Sequence, residues 1–245
     1  MRFRLNISYK GTAYHGWQKQ PGSPTVQDVL EDVLSVLLRT PIETTGCGRT
    51  DSGVHAHFFP LHFDCEHELP QHFLYRLNSL LPADIAALSC AVVSDEFHAR
   101  FDAVSRTYRY YLHFVKDPFH RETSWLHHKK PDLLLLNEAA AMLTGVQNCK
   151  SFTKGEEPAH HGYECLIYKA AWLEEHEQLI FHIQANRFLR NMVRALVGSL
   201  LEVGYGNKPV SWFQGLLEGR SRSDAGQSVP AHGLFLEHVD YTEAG

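Results

Sequence analysis

The chain has 245 residues, of which 44% are hydrophobic and 21% charged, and its formal net charge is −5 at pH 7. These proportions are those of a folded globular protein and exclude a disordered, collagen-like or coiled-coil chain. The longest apolar run, residues 133–142, is broken by Asn137 and Glu138, well short of the roughly 18 residues that a membrane span needs.

Residues 3–9 alternate Phe3, Leu5, Ile7 and Tyr9 with Arg4, Asn6 and Ser8; period two predicts a half-buried strand. A Gly/Pro-rich loop over 11–24 follows, and Trp17 within it reads as exposed. Thr25 is the expected N-cap of a helix whose stripe is Val26, Val29, Leu30, Val33, Leu34, Leu37 and Leu38. Further along come a strand at 55–63, a short helix at 71–81 ending before Pro82, and a strand at 85–93. The pattern then restarts with a strand over 105–115 and a helix over 133–143, capped by Asp132 and stopped by Gly145. Strands at 165–172 and 179–185, a helix at 188–203, a shorter helix from Pro209 and a strand at 233–241 complete the chain. The second half has the order β-α-β-β-α-(α)-β, the split βαβ pattern, and the first half resembles a degenerate version of it. The expected class is α+β, in two ferredoxin-like halves with mostly antiparallel sheets, residues 1–103 and 104–245.

The five cysteines, Cys47, Cys65, Cys90, Cys149 and Cys165, are odd in number and form no C-x-x-C. Free thiols in a reducing compartment are the expectation, hence the cytoplasm. The opening Met1-Arg2-Phe3-Arg4 leads into alternating residues rather than the apolar core of a secretory signal. The acidic net charge argues against a polyanionic partner. Its distribution argues the other way: residues 1–19 hold four basic and no acidic residues, 98–130 seven and three, and 187–222 six and two.

The densest chemical segment is Gly46-Cys47-Gly48-Arg49-Thr50-Asp51-Ser52-Gly53-Val54-His55-Ala56. Its glycines mark unusual dihedrals or a close approach. Asp51 beside Arg49 reads either as a turn residue accepting N–H groups or as a functional carboxylate. Tyr108-Arg109-Tyr110-Tyr111 on a strand puts Tyr108 and Tyr110 on one face, either as packing or as a platform for an unpaired base. On the helix predicted from Phe188, Arg187, Arg190 and Arg194 span about 60° of arc. That is either a solvated basic face or one in which Arg194 turns inward to a carboxylate. His55, His57 and His62 allow a metal reading, although no Glu or Cys stands at a supporting spacing. The doublets His127-His128 and His160-His161 belong to no such pattern. No Walker A loop, G-x-G-x-x-G after a strand or G-x-S-x-G elbow is present, so nucleotide cofactors lack support.

Taken together, five blocks resemble the tRNA pseudouridine synthase A family. Gly48-Arg49-Thr50-Asp51-Ser52-Gly53-Val54-His55-Ala56 is similar to its G-R-T-D-A-G-V-H-A signature, with Ser52 the one change. Tyr9-Lys10-Gly11-Thr12, Gly16-Trp17-Gln18-Lys19-Gln20-Pro21 and Thr25-Val26-Gln27 match its N-terminal pattern, with Lys10 where the family usually has Asp. Phe97-His98-Ala99-Arg100-Phe101 leading to Tyr108-Arg109-Tyr110 is a third block. Residues 186–204, with Phe188-Leu189 and Met192-Val193-Arg194, are a fourth, and Pro230-Ala231 with Gly233-Leu234 a fifth. Residues 147–166 match poorly, lacking an Asp-Phe pair and a later Arg where Cys165 or Leu166 stands.

The resemblance implies isomerisation of uridine to pseudouridine in the anticodon stem-loop of tRNA, at tRNA positions 38 to 40. It implies a homodimer without cofactor or metal, the active cleft lying between two related halves. Asp51 would be the catalytic nucleophile, Arg49 would hold the flipped nucleotide or fill its place, Arg194 would be the salt-bridge partner of Asp51, and Tyr108 would stack on the target uracil. Two other readings stand beside it: an RNA-binding protein of the same fold without catalysis, and a metal hydrolase built on His55, His57 and His62.

Overall fold

A computed structural model describes residues 1–154 and 162–242, and the His160-His161 doublet lies outside them. The chain divides into two compact units, Met1–Val104 with the returning segment from Phe235, and Ser105–Leu234. Each is α+β with mainly antiparallel pairing.

The first unit is built on β1 (Arg2–Tyr9), β2 (Thr44–Gly46), β3 (His55–Asp64), β4 (Ile85–Val93) and β10 (Leu234–Tyr241), with α1 (Val26–Leu38) and α2 (Phe73–Leu80). The spatial order is β4-β1-β3-β10, and β2 also pairs with β3. All pairs are antiparallel except β10 with β3, which is parallel at Phe235↔His55 and Leu236↔Ala56. The alternation read in 3–9 is the burial pattern: Phe3, Leu5, Ile7 and Tyr9 are all buried, opposite Phe63, Leu61 and Phe59. One extra residue bulges from β3 between Ala56 and Phe59, as the register against β1 shows. The bulge therefore brings Ala56 onto the same face as Phe59. Thr25 caps α1 by accepting the Asp28 N–H. The second helix begins at Phe73, two residues later than 71, because His72 takes a left-handed conformation.

The other face of this sheet is covered by residues 97–101. Ala99 N–H donates to His62 Nδ1 at 3.1 Å, Arg2 Nη1 donates to the Phe97 carbonyl at 2.9 Å, and Tyr241 OH donates to the Ala99 carbonyl at 2.7 Å. Burial, followed by the charge of Arg2, lowers the His62 pKa to about 4. A neutral ring is what its acceptor role requires.

The second unit has strand order β5-β9-β8-β7, from β5 (Ala103–His113), β7 (Gly145–Asn148), β8 (Glu164–Glu175) and β9 (Gln178–Ala185), with the short β6 (Trp125–Leu126) parallel to β5. The β8–β9 hairpin runs three residues further along β8 than the expected 172. His176 and Glu177 both adopt positive φ, which lets a two-residue turn close the ladder. Helices α3 (Leu133–Ala141), α4 (Met192–Gly204) and α5 (Val210–Leu217) pack together. Asp132 caps α3 by accepting the N–H groups of Leu134 and Leu135. Every residue of α4 is buried except Arg194 and Glu202.

Two expectations are corrected here. Trp17 is buried, its ring stacked on Phe59 at 4.2 Å, because the loop folds back onto the core rather than into solvent. The fourth helix starts at Met192, not at 188, because Asn191 sits at φ 64°. Arg187 and Arg190 therefore precede the helix, and the three-arginine helical face does not exist.

Candidate active site

The segment around Asp51 joins β2 to β3 and is clamped by the loop after β1. Trp17 N–H donates to the Thr50 carbonyl (3.3 Å), Gly53 N–H to the Tyr14 carbonyl (3.2 Å), and Gly11 N–H to His55 Nδ1 (2.9 Å). Tyr9 and Thr50 share a buried hydroxyl–hydroxyl bond of 2.8 Å. Glycine is obligatory at two of these approaches. A Cβ on Gly11 would lie 2.0 Å from the Val54 carbonyl oxygen, and one on Gly16, at φ +91°, 2.4 Å from that of Thr50. Val54 N–H closes a turn onto the Asp51 carbonyl (3.1 Å) with Gly53 at φ +78°. Asp51 is thus a half-buried carboxylate on a backbone held from both sides.

Arg49 is exposed, and its Nε donates to Gln18 Oε1 at 3.2 Å. Behind Gln18 runs a chain that the sequence did not reveal. Gln18 Nε2 donates to Gln27 Oε1 (2.8 Å), and Gln27 Nε2 donates to Glu31 Oε1 (3.0 Å) and to the Thr44 carbonyl (2.9 Å). Lys19 Nζ lies 3.1 Å from Glu31 Oε2, and this bond raises the lysine pKa. Gln27 and Glu31 are buried polar residues on the core-facing side of an apolar helix. That pattern is the one signal that would have pointed to them.

In the second unit Tyr108 lies on β5, half-buried, with the Phe188 ring edge-on at 5.1 Å. Tyr110 is buried on the same strand, and its hydroxyl donates to the Pro230 carbonyl at 2.9 Å. Burial raises the Tyr110 pKa, so its hydroxyl stays protonated as a donor. Arg194 is held by residues 226–229: its Nε donates to the Val229 carbonyl (2.8 Å), and Val229 N–H returns a bond to the Arg194 carbonyl (3.2 Å). That segment lies so close to α4 that a Cβ on Gly198 would meet the Gln227 carbonyl oxygen at 1.8 Å. Asp51 and Arg49 thus share one loop of the first unit, whereas Tyr108 and Arg194 stand on adjoining elements of the second.

The three histidines of the metal reading have other partners. His55 accepts from Gly11, His62 accepts from Ala99, and His57 Nδ1 lies 3.0 Å from Glu237 Oε2. Among the described residues no three His, Cys, Asp or Glu side chains converge as metal ligands. No helix among them is long and apolar enough to cross a membrane. The five cysteines are free thiols.

The family model described as tRNA pseudouridine synthase matches residues 6–102 and 139–242. A protein of Parabacteroides distasonis named tRNA pseudouridine synthase A is 43% identical over 244 residues, covering 99% of this chain and 96% of its own. The Porphyromonas gingivalis protein of that name is 44% identical over 245 residues, covering 98% and 97%. That of Treponema denticola is 42% identical over 251 residues, covering 98% and 92%.

Proposed function

The chain belongs to the tRNA pseudouridine synthase family, and from that premise we propose that Asp51 is the nucleophile by which it isomerises uridine to pseudouridine in tRNA. The observation that carries this is the clamp on the 47–54 loop, which presents a single half-buried carboxylate on a backbone hydrogen-bonded and closely packed against the loop after β1.

The reaction breaks the bond between ribose C1′ and uracil N1 and forms one between C1′ and C5. The C5 proton leaves and N1 gains one, so no atom or electron is supplied from outside. A carboxylate suits the electron-poor carbon that appears as the glycosidic bond breaks. Tyr108, backed edge-on by Phe188, is the ring that stacks on the target uracil once it has left the helix. Arg49, exposed and steered by Gln18, holds the flipped nucleotide. Arg194 contributes the compensating positive charge. The expected substrate site is the anticodon stem-loop, at uridines 38 to 40, and the expected assembly is a homodimer in the cytoplasm.

The test uses tRNA tritiated at uracil C5. Release of tritium to water is expected from the intact protein and not from Asp51→Ala, with tRNA binding retained. Tyr108→Phe, which keeps the ring, is expected to bind tRNA normally and to lose less activity than Asp51→Ala. Equal and complete loss in both would refute the stacking role. Binding without release by the unaltered protein would favour a non-catalytic RNA-binding protein.

A further inference from the structure

The second unit contains a cavity of about 580 Å³, lined in part by residues 227–230, the segment that holds Arg194, and otherwise by residues to which the proposed chemistry gives no part. That volume lies within the range of small-ligand sites. Aromatic Trp125, His127 and Tyr205 and polar Lys129, Glu202 and Asn207 are among its lining residues. Trp125 on β6 meets His127 edge-on at 4.9 Å, and His127 stacks on Tyr205 at 4.9 Å, with the Tyr205 hydroxyl 2.9 Å from His127 Nδ1. His127 thus contacts both other rings, and all three remain partly exposed. Lys129 is exposed at the rim. Its Nζ stands 5.4 Å from the Tyr205 ring centroid and donates to the Tyr205 carbonyl at 3.4 Å. Glu202, one of the two α4 residues that are not buried, faces the same space and accepts from Asn207 at 3.1 Å.

We propose that this cavity binds an unstacked nucleobase together with its phosphate. Half-exposed, pre-ordered rings are stacking surfaces that any base can use. A lysine fixed at their edge supplies the charge for a phosphate, and Glu202 and Asn207 offer acceptor and donor groups to the edge of a base. The inference rests on the reading of this chain as an enzyme of tRNA, which brings the ligand chemistry in quantity. The same chemistry has two sources, a nucleotide of the bound tRNA away from the target uridine, or a free mononucleotide.

The experiment measures the rate of Lys129 acetylation in the whole protein by mass spectrometry, alone, with saturating tRNA and with millimolar adenosine monophosphate. Protection by tRNA but not by the mononucleotide assigns the site to RNA, and protection by the mononucleotide as well assigns it to free nucleotides. Tyr205→Leu is expected to weaken tRNA binding about tenfold by loss of stacking. Lys129→Gln, at an exposed position that leaves the fold intact, is expected to weaken it severalfold and to reduce its salt dependence. Two results overturn the proposal: Lys129 equally reactive in all three conditions with the affinities of both variants unchanged, or Lys129 already protected without nucleic acid as protein concentration rises, which puts a second copy of the chain over the cavity. Tritium release by the unaltered protein reports separately on the underlying reading.

Discussion

Glu31 Oε1 accepts both the main-chain N–H and the hydroxyl of Thr44, at 2.8 and 3.0 Å. This buried carboxylate thereby ties the middle of α1 to the first residue of β2, from which the chain runs straight into the Asp51 loop. Glu31→Ala would leave the Thr44 donors and one hydrogen of the Gln27 amide without the acceptor they share, at a cost of about 3 kcal/mol. Glu31→Gln keeps an acceptor and is expected to cost less. Urea midpoints at unchanged slope check this.

The clamp on the Asp51 loop predicts a contrast between glycines. Gly16→Ala forces a methyl group against the Thr50 carbonyl at an already left-handed residue. It is expected to destabilise by more than about 1 kcal/mol and to abolish most tritium release. Gly22→Ala meets nothing within 4 Å, although its φ is +75°. It carries only the strain of its dihedral, about 1 kcal/mol, and leaves turnover per folded molecule unchanged.

His62 predicts acid sensitivity. Its folded-state pKa is about 4, depressed by burial and then by Arg2, whereas an unfolded chain titrates near 6.5. Between those values the unfolded state binds more protons, so stability falls as pH drops from about 6.5 towards 4, by a total on the order of 3 kcal/mol. His62→Asn, which retains an acceptor for the Ala99 N–H, is expected to flatten that slope. Denaturant titrations at pH 7.5, 6 and 5 measure it.

The clustering of basic residues within an acidic chain predicts that tRNA affinity falls steeply with salt. The logarithm of the binding constant should drop linearly with the logarithm of salt concentration as counterions are released. A flat response would show that the basic stretches are not the RNA-facing surface. Filter binding from low to physiological salt distinguishes the two.

Much of this was legible from periodicity and caps. The 3–9 alternation and the Thr25 and Asp132 caps read correctly because each is a local rule acting on neighbouring residues. Trp17 did not, because its burial comes from Phe59, 42 positions away, and from the absence of a side chain at Gly46, where a Cβ would lie 2.7 Å from the indole nitrogen. The start of α4 was misplaced because apolar Phe188 and Leu189 extend the helical stripe. The break at Asn191 is a single backbone conformation that the hydrophobic pattern does not record. The Gln18–Gln27–Glu31 chain went unread for a third reason: polar residues on the core-facing side of a helix are a weak signal until the element that covers them is known.

The strand that completes the first unit arrives last. Phe235 and Leu236 of β10 pair with His55 and Ala56, the two residues at which the Asp51 signature enters β3. On the ribosome, residues 1–104 therefore emerge without one of their own strands, and the whole of 105–234 is translated before it appears. The edge of β3 at His55 and Ala56, close in sequence to Asp51, lacks its partner strand throughout that interval. Completion of the sheet beside the Asp51 loop becomes a late event in biosynthesis, and a chain released early at residue 233 would carry every residue proposed for catalysis while lacking the strand that pairs with His55 and Ala56.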